Sequence, residues 1–183
     1  VRAAARLKFE GLVEPIILGV PEDVHTLLTD FGFSNPGITV INPNNYANFD
    51  TMRQEFITLR KGKVDESQAD EILRDVNYFG VMLVQLGLAE GMVSGAIHST
   101  ADTVRPALQI IKTKPGVKRT SGVFLMVKDQ HKFVFGDCAI NIEPDAETLA
   151  EIAIQSAETA KTFGIDPKVA MISCSTKGSG SGP

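Results

Sequence analysis

The residues that could do chemistry concentrate in one stretch, Met92-Val-Ser-Gly-Ala-Ile-His-Ser-Thr-Ala-Asp-Thr-Val-Arg-Pro-Ala107. A run of small residues delivers the chain into a polar turn holding Ser99, Thr100, Asp102 and Thr103. A helix starting there presents unpaired backbone amides of partial positive charge beside donor hydroxyls, which is an anion site. Arg105 adds a planar fork suited to two phosphate oxygens. Each residue also has a plainer reading. Ser99 or Thr100 can be a simple N-cap, and Arg105 a surface residue. Asp102 caps the helix or orients a neighbour, since a carboxylate facing phosphate would repel it. His98 is a candidate general base, or a hydrogen-bonded structural histidine at the end of a strand.

Two further stretches carry weaker signals. In Thr58-Leu-Arg-Lys-Gly-Lys63, Arg60 and two lysines surround a glycine after a helix. They can hold an anion, or merely complement the helix dipole. In Met171-Ile-Ser-Cys-Ser-Thr-Lys-Gly-Ser-Gly180, Ser175, Thr176 and Lys177 follow an apolar run, where open α/β sheets place their ligands. The pattern Gly-x-x-x-x-Gly-Lys-Ser/Thr is missing, which argues against a nucleoside triphosphatase. No Gly-x-Gly-x-x-Gly follows a strand, which argues against a dinucleotide dehydrogenase. Cys174 is either a nucleophile or a packed residue at a strand end. It lies far from Cys138, neither is in a Cys-x-x-Cys pair, and reduced thiols without a metal are expected.

The elements that position these residues alternate helix and strand. A helix is expected over 1–12, a strand over 13–19, a helix from Pro21 to about Gly32 and a strand over 38–41, together a β-α-β unit. A helix from about Phe49 runs into Arg60. One long helix is expected from Asp65, with Ile72, Val76, Phe79, Leu83 and Leu86 on its apolar face and Gly87 closing it. Residues 91–97 read as a third strand and 101–112 as a helix. A hairpin over 121–127 and 133–140, a helix over 145–163 and a last strand over 168–173 complete the chain. The expected class is α/β, a mostly parallel sheet with helices on both faces.

Composition narrows the partners. Of 183 residues, 43% are hydrophobic, enough for a substantial core, and 18 basic residues against 22 acidic ones form no block of like charge. Nucleic acid and membrane surfaces are therefore not expected, and no apolar run approaches the roughly 20 residues that span a bilayer. A cytoplasmic location is expected. The chain opens at Val1 within a helical pattern and stops at Pro183 after a Gly-rich loop, so a fragment of a longer protein is expected.

Residues 59–63, 93–113 and 168–179, in this order and separation, resemble the signature segments of phosphate acetyltransferases. The resemblance covers nearly the whole chain. It implies a two-domain α/β architecture similar to isocitrate and isopropylmalate dehydrogenases, with residues 1–183 forming part of it, and a homodimer. It implies reversible acetyl transfer between acetyl phosphate and coenzyme A by direct thiolate attack, releasing phosphate, as in acetate metabolism. Coenzyme A is then a substrate, and no tightly bound cofactor is expected. The family's phosphate-site arginines match Arg60 and Arg105. Ser99, Thr100 and Thr103 are assigned to the same site, and Ser175, Thr176 and Lys177 line its cleft. The family's Ser-Arg-Gly segment and thiol-deprotonating Asp lie beyond Pro183, so no base is assigned. A phosphate butyryltransferase and the noncatalytic acetyl-CoA-sensing module of some malic enzymes are the alternatives.

Overall fold

The computed structural model describes residues 1–34 and 37–172. The chain divides into two compact units, residues 1–112 and 113–183.

The first unit is built on a short parallel strand pair, β1 (Ile16–Leu18) and β2 (Thr39–Ile41), in register Ile16 to Thr39 and Leu18 to Ile41. Alternate residues of a strand face opposite ways, and here both faces are covered. Ile17, Ile38 and Val40 pack on Ala5 of α1 (Arg2–Phe9) and on Val24 and Leu28 of α2 (Pro21–Asp30). Ile16, Leu18 and Ile41 join the larger core on the other side, where Met52, Phe56, Leu73, Phe79, Met82 and Ile110 are buried. Truncating Phe56, which is fully buried, would cost about 3–5 kcal/mol.

The larger core comes from four helices. α3 (Phe49–Arg60) ends where Lys61 and Gly62 take left-handed conformations. Arg53 of α3 reaches Asp70 of α4 (Glu66–Leu73) at 3.0 Å and Asp50 at 2.9 Å, tying the two helices together. α4 opens with a reciprocal cap: Gln68 N donates to Asp65 Oδ1 at 2.8 Å and Asp65 N donates to Gln68 Oε1 at 3.0 Å. The single long helix expected from Asp65 is corrected here. It breaks after Leu73, and α5 (Val76–Gln85) starts afresh because the Asp75 carboxylate accepts from Asn77 N at 2.9 Å and Tyr78 N at 3.1 Å. α6 (Thr100–Ile110) packs on both α3 and α5.

Residues 91–97, expected as a strand, are irregular instead. Gly95 has φ of +111°, outside the range an extended strand uses, so the small residues here bend the chain.

In the second unit β3 (Val123–Lys128) and β4 (His131–Gly136) form an antiparallel hairpin turning at Asp129, whose φ is +55°. α7 (Ala146–Thr162), capped by Asp145, packs on β4. The second hairpin strand stops at Gly136, short of the expected Ile140. The Asp137 carboxylate draws the following chain into a knot, accepting from the amides of Gly122, Ala139, Ile140 and Asn141 and from Asn141 Nδ2. Residues 168–172 are not a strand, having no ladder partner among the described residues, and Ser173 lies outside them. The described strands thus form one parallel and one antiparallel pair in a mixed α/β fold. Among the described residues no helix is long and apolar enough to cross a membrane.

Candidate functional site

A pocket of about 290 Å³ in the first unit is lined by Asp75, Tyr78, His98, Asp102 and Arg105. Three of these stand in the stretch 92–107 that the sequence offers as a candidate anion site; Asp75 and Tyr78 come from the start of α5.

The N-terminus of α6 is held by an interlocked turn. Ser99 is the N-cap: its hydroxyl accepts from Asp102 N at 3.2 Å and donates to Asp102 Oδ2 at 2.6 Å. Thr103 Oγ1 donates to the Ser99 carbonyl at 3.0 Å. The hydroxyl protons of Ser99 and Thr103 are therefore engaged within the turn, while Thr100, the first helical residue, is exposed. The Asp102 carboxyl is held below the usual carboxylate range, chiefly by the Ser99 hydrogen bond, with help from the charges of Arg105 and His98. Pro106, buried inside α6, removes the backbone hydrogen bond that would reach the Asp102 carbonyl.

Arg105 is exposed and lines the pocket, and Arg60, the last residue of α3, is half-buried. Both guanidiniums act on the phenol of Tyr78. Burial pushes that phenol up in pKa and Asp75 adds to this, while Arg105 and Arg60 pull it down. The Tyr78 hydroxyl donates to Gln109 Oε1 at 3.0 Å, which ties α5 to α6 one turn beyond Arg105. Among the described residues neither Arg60 nor Arg105 is in an ion pair, in contrast to Arg53. A guanidinium lining a pocket at a helix N-terminus, with a second one, Arg60, contributing its charge at the same phenol, can take an anion with several oxygens.

Ser175, Thr176, Lys177 and Cys174 lie outside the described residues. Asp75 and Tyr78 were missed in the sequence because the apolar rhythm runs unbroken across residue 75. The available signal was an Asp two and three residues before the amides it caps. Asp137 was also passed over, although Asp-Cys-Ala-Ile-Asn141 ends a hairpin with two side chains suited to bonding backbone amides.

The family model described as phosphate acetyl/butaryl transferase matches residues 1–183. The phosphate acetyltransferase of Bacillus subtilis (strain 168) is 52% identical over 179 residues, covering 98% of this chain and 55% of the relative. That of Staphylococcus epidermidis is 54% identical over 177 residues, covering 97% and 54%. The crystal structure of a phosphotransacetylase from Streptococcus pyogenes shares the fold with a TM-score of 0.90 and 68% identity, over 100% of this chain and 56% of that one. The EutD phosphotransacetylase from Staphylococcus aureus gives 0.86 and 54%, over 98% and 55%. The chain spans about half the length of the curated relatives it matches. On this evidence the chain belongs to the phosphate acetyl/butaryl transferase family.

Proposed function

We propose that this chain carries the phosphate-binding part of a phosphate acetyltransferase, which moves an acetyl group reversibly between acetyl phosphate and coenzyme A. The observation that carries the reading is the pocket at the N-terminus of α6, which Arg105, in no ion pair among the described residues, lines together with Tyr78 and His98. Relatives named phosphate acetyltransferase at 52–54% identity support the same substrate class.

In this reading Arg105 grips two phosphate oxygens and Arg60 adds a second charge. The amides of Thr100 and its neighbours complete the site. Ser99 and Thr103 act by holding the turn in shape. The carboxylates of Asp75 and Asp102 would repel phosphate, but each accepts hydrogen bonds from its own helix start, and Asp102 attracts Arg105. Acetyl phosphate becomes more negative on its leaving oxygen as the acyl–oxygen bond breaks, so guanidiniums placed there favour departure of phosphate. The attacking thiolate comes from coenzyme A, whose thiol has an ordinary pKa of about 8.5, so a base to ionise it would add a further factor. His98 lines the pocket as a candidate for a proton role. Ser175, Thr176 and Lys177 are proposed as further residues of the site.

We extend the proposal to the setting of the site: an isocitrate dehydrogenase-like, mostly parallel architecture in a cytoplasmic homodimer with no tightly bound cofactor. Thioester formation from acetyl phosphate and coenzyme A, followed by absorbance with the full-length protein, tests the activity. Absence of a coenzyme A thioester product would refute it.

A further inference from the structure

From Glu90 to His98 the chain has no regular structure, yet it leads directly into the turn at Ser99. Among the described residues this segment has a single hydrogen bond, from Ser94 Oγ to Oδ1 of Asn77. Asn77 lies on α5 and is 1% exposed, and its Nδ2 is buried without a partner among the described residues. One turn further along the same helix is Gly80, also buried. A β-carbon there would fall 2.5 Å from Met92 Sδ, so the absence of a side chain is what lets Met92 lie against the helix. Glycine inside a helix costs about 1 kcal/mol relative to alanine, and seating Met92 is a reason to keep it. Residues three apart share a helix face, so Asn77 and Gly80 present one track to Met92 and Ser94.

We infer that this track positions the phosphate site: Asn77 and Gly80 are positioning residues that hold Met92 and Ser94, fix the path of the 91–98 segment, and so set where His98 and the first turn of α6 stand. Among the described residues no other hydrogen bond of the segment opposes its displacement. Val93 and Ile97, nearly fully exposed on either side of Ser94, add no packing that would hold it. The inference rests on the phosphate reading of the site above.

The test is binding of inorganic phosphate to the full chain by calorimetry, for the wild type and for Ser94→Ala, Ser94→Thr, Gly80→Ala and Arg105→Lys, with hydrogen exchange of the amides of α5 and α6 as the check on folding. Ser94 is exposed, so its truncation opens no core cavity; it leaves the buried Oδ1 of Asn77 without this donor. Ser94→Ala should weaken phosphate binding roughly 3- to 10-fold, the range expected of one positioning hydrogen bond, while the amides of α5 and α6 stay protected. Ser94→Thr keeps the hydroxyl and should bind as the wild type. Gly80→Ala improves helix propensity but displaces Met92, and should weaken binding without loss of folded structure. Wild-type affinity in both Ser94→Ala and Gly80→Ala, with Arg105→Lys weakened, would overturn this inference alone. Wild-type affinity in Arg105→Lys would bring down the phosphate site with it.

Discussion

Replacing Arg105 by Lys separates the shape of the guanidinium from its charge. Arg105 is exposed, it forms no ion pair among the described residues, and its side chain is not part of the core that buries Pro106 and Ile110 on the same helix. A surface substitution of this kind changes stability by no more than about 0.5 kcal/mol. Lys keeps the positive charge that lowers the Asp102 carboxyl and pulls on the Tyr78 phenol, so the electrostatics of the pocket survive. What is lost is the fork of two parallel N–H donors. If that fork holds the departing phosphate, Arg105→Lys in the full-length protein should lower kcat/KM for acetyl phosphate by roughly 10- to 1000-fold, about 1.4 to 4 kcal/mol of transition-state stabilisation. KM for coenzyme A should change far less, and Arg105→Ala should be worse than Lys. The assay is steady-state kinetics with each substrate varied in turn, beside a thermal melt. Wild-type kcat/KM in a normally melting Arg105→Lys protein would refute the reasoning and return this arginine to the surface.

Other expectations follow from the same geometry. Burial raises the Asp137 carboxyl, but the hydrogen bonds it accepts from Ala139, Asn141 and Ile140 outweigh this and hold it well below the ordinary carboxylate range. A carboxyl depressed by folding contributes stability that is present above the unfolded pKa of about 3.9 and is lost as pH falls below it. Asp137→Asn should therefore lower Tm at pH 7 by roughly 5 to 10 °C and flatten the loss of Tm below pH 4, as melts across pH would show. Ser99→Ala should cost about 0.5–2 kcal/mol in denaturant unfolding through the lost cap, and should weaken phosphate binding by loosening the turn. Direct transfer needs no protein thiol, so Cys174→Ala should keep kcat within about tenfold in the thioester assay, and mass spectrometry should find no acetyl group on that residue.

Much of this was legible in the sequence, and the exceptions have physical causes. The start of α6 could be read because capping uses local residues, and Ser99 and Asp102 are written within four positions. The hairpin and α7 were readable from alternation and from an acidic cap. The break between α4 and α5 was hidden because Ile72, Val76 and Phe79 keep helical spacing through it, and a capping carboxylate leaves no mark on hydrophobic periodicity. Tyr78 joined the site only by the packing of α5 on α6, which no local pattern encodes. Residues 91–97 looked like a strand from their Val and Ile, but the left-handed Gly95 and a lack of ladder partners among the described residues decided otherwise. The end of β4 at Gly136 is set by Asp137 drawing four backbone amides to itself, a long-range arrangement that includes Gly122.

The most direct test of the central claim is a crystal structure of the full-length protein with inorganic phosphate bound. Phosphate is expected at the N-terminus of α6, with two oxygens on the guanidinium of Arg105, Arg60 within ion-pair distance, and Ser99 still bonded to Asp102. Phosphate bound elsewhere, with both arginines turned away from it at a concentration that saturates the enzyme, would contradict it.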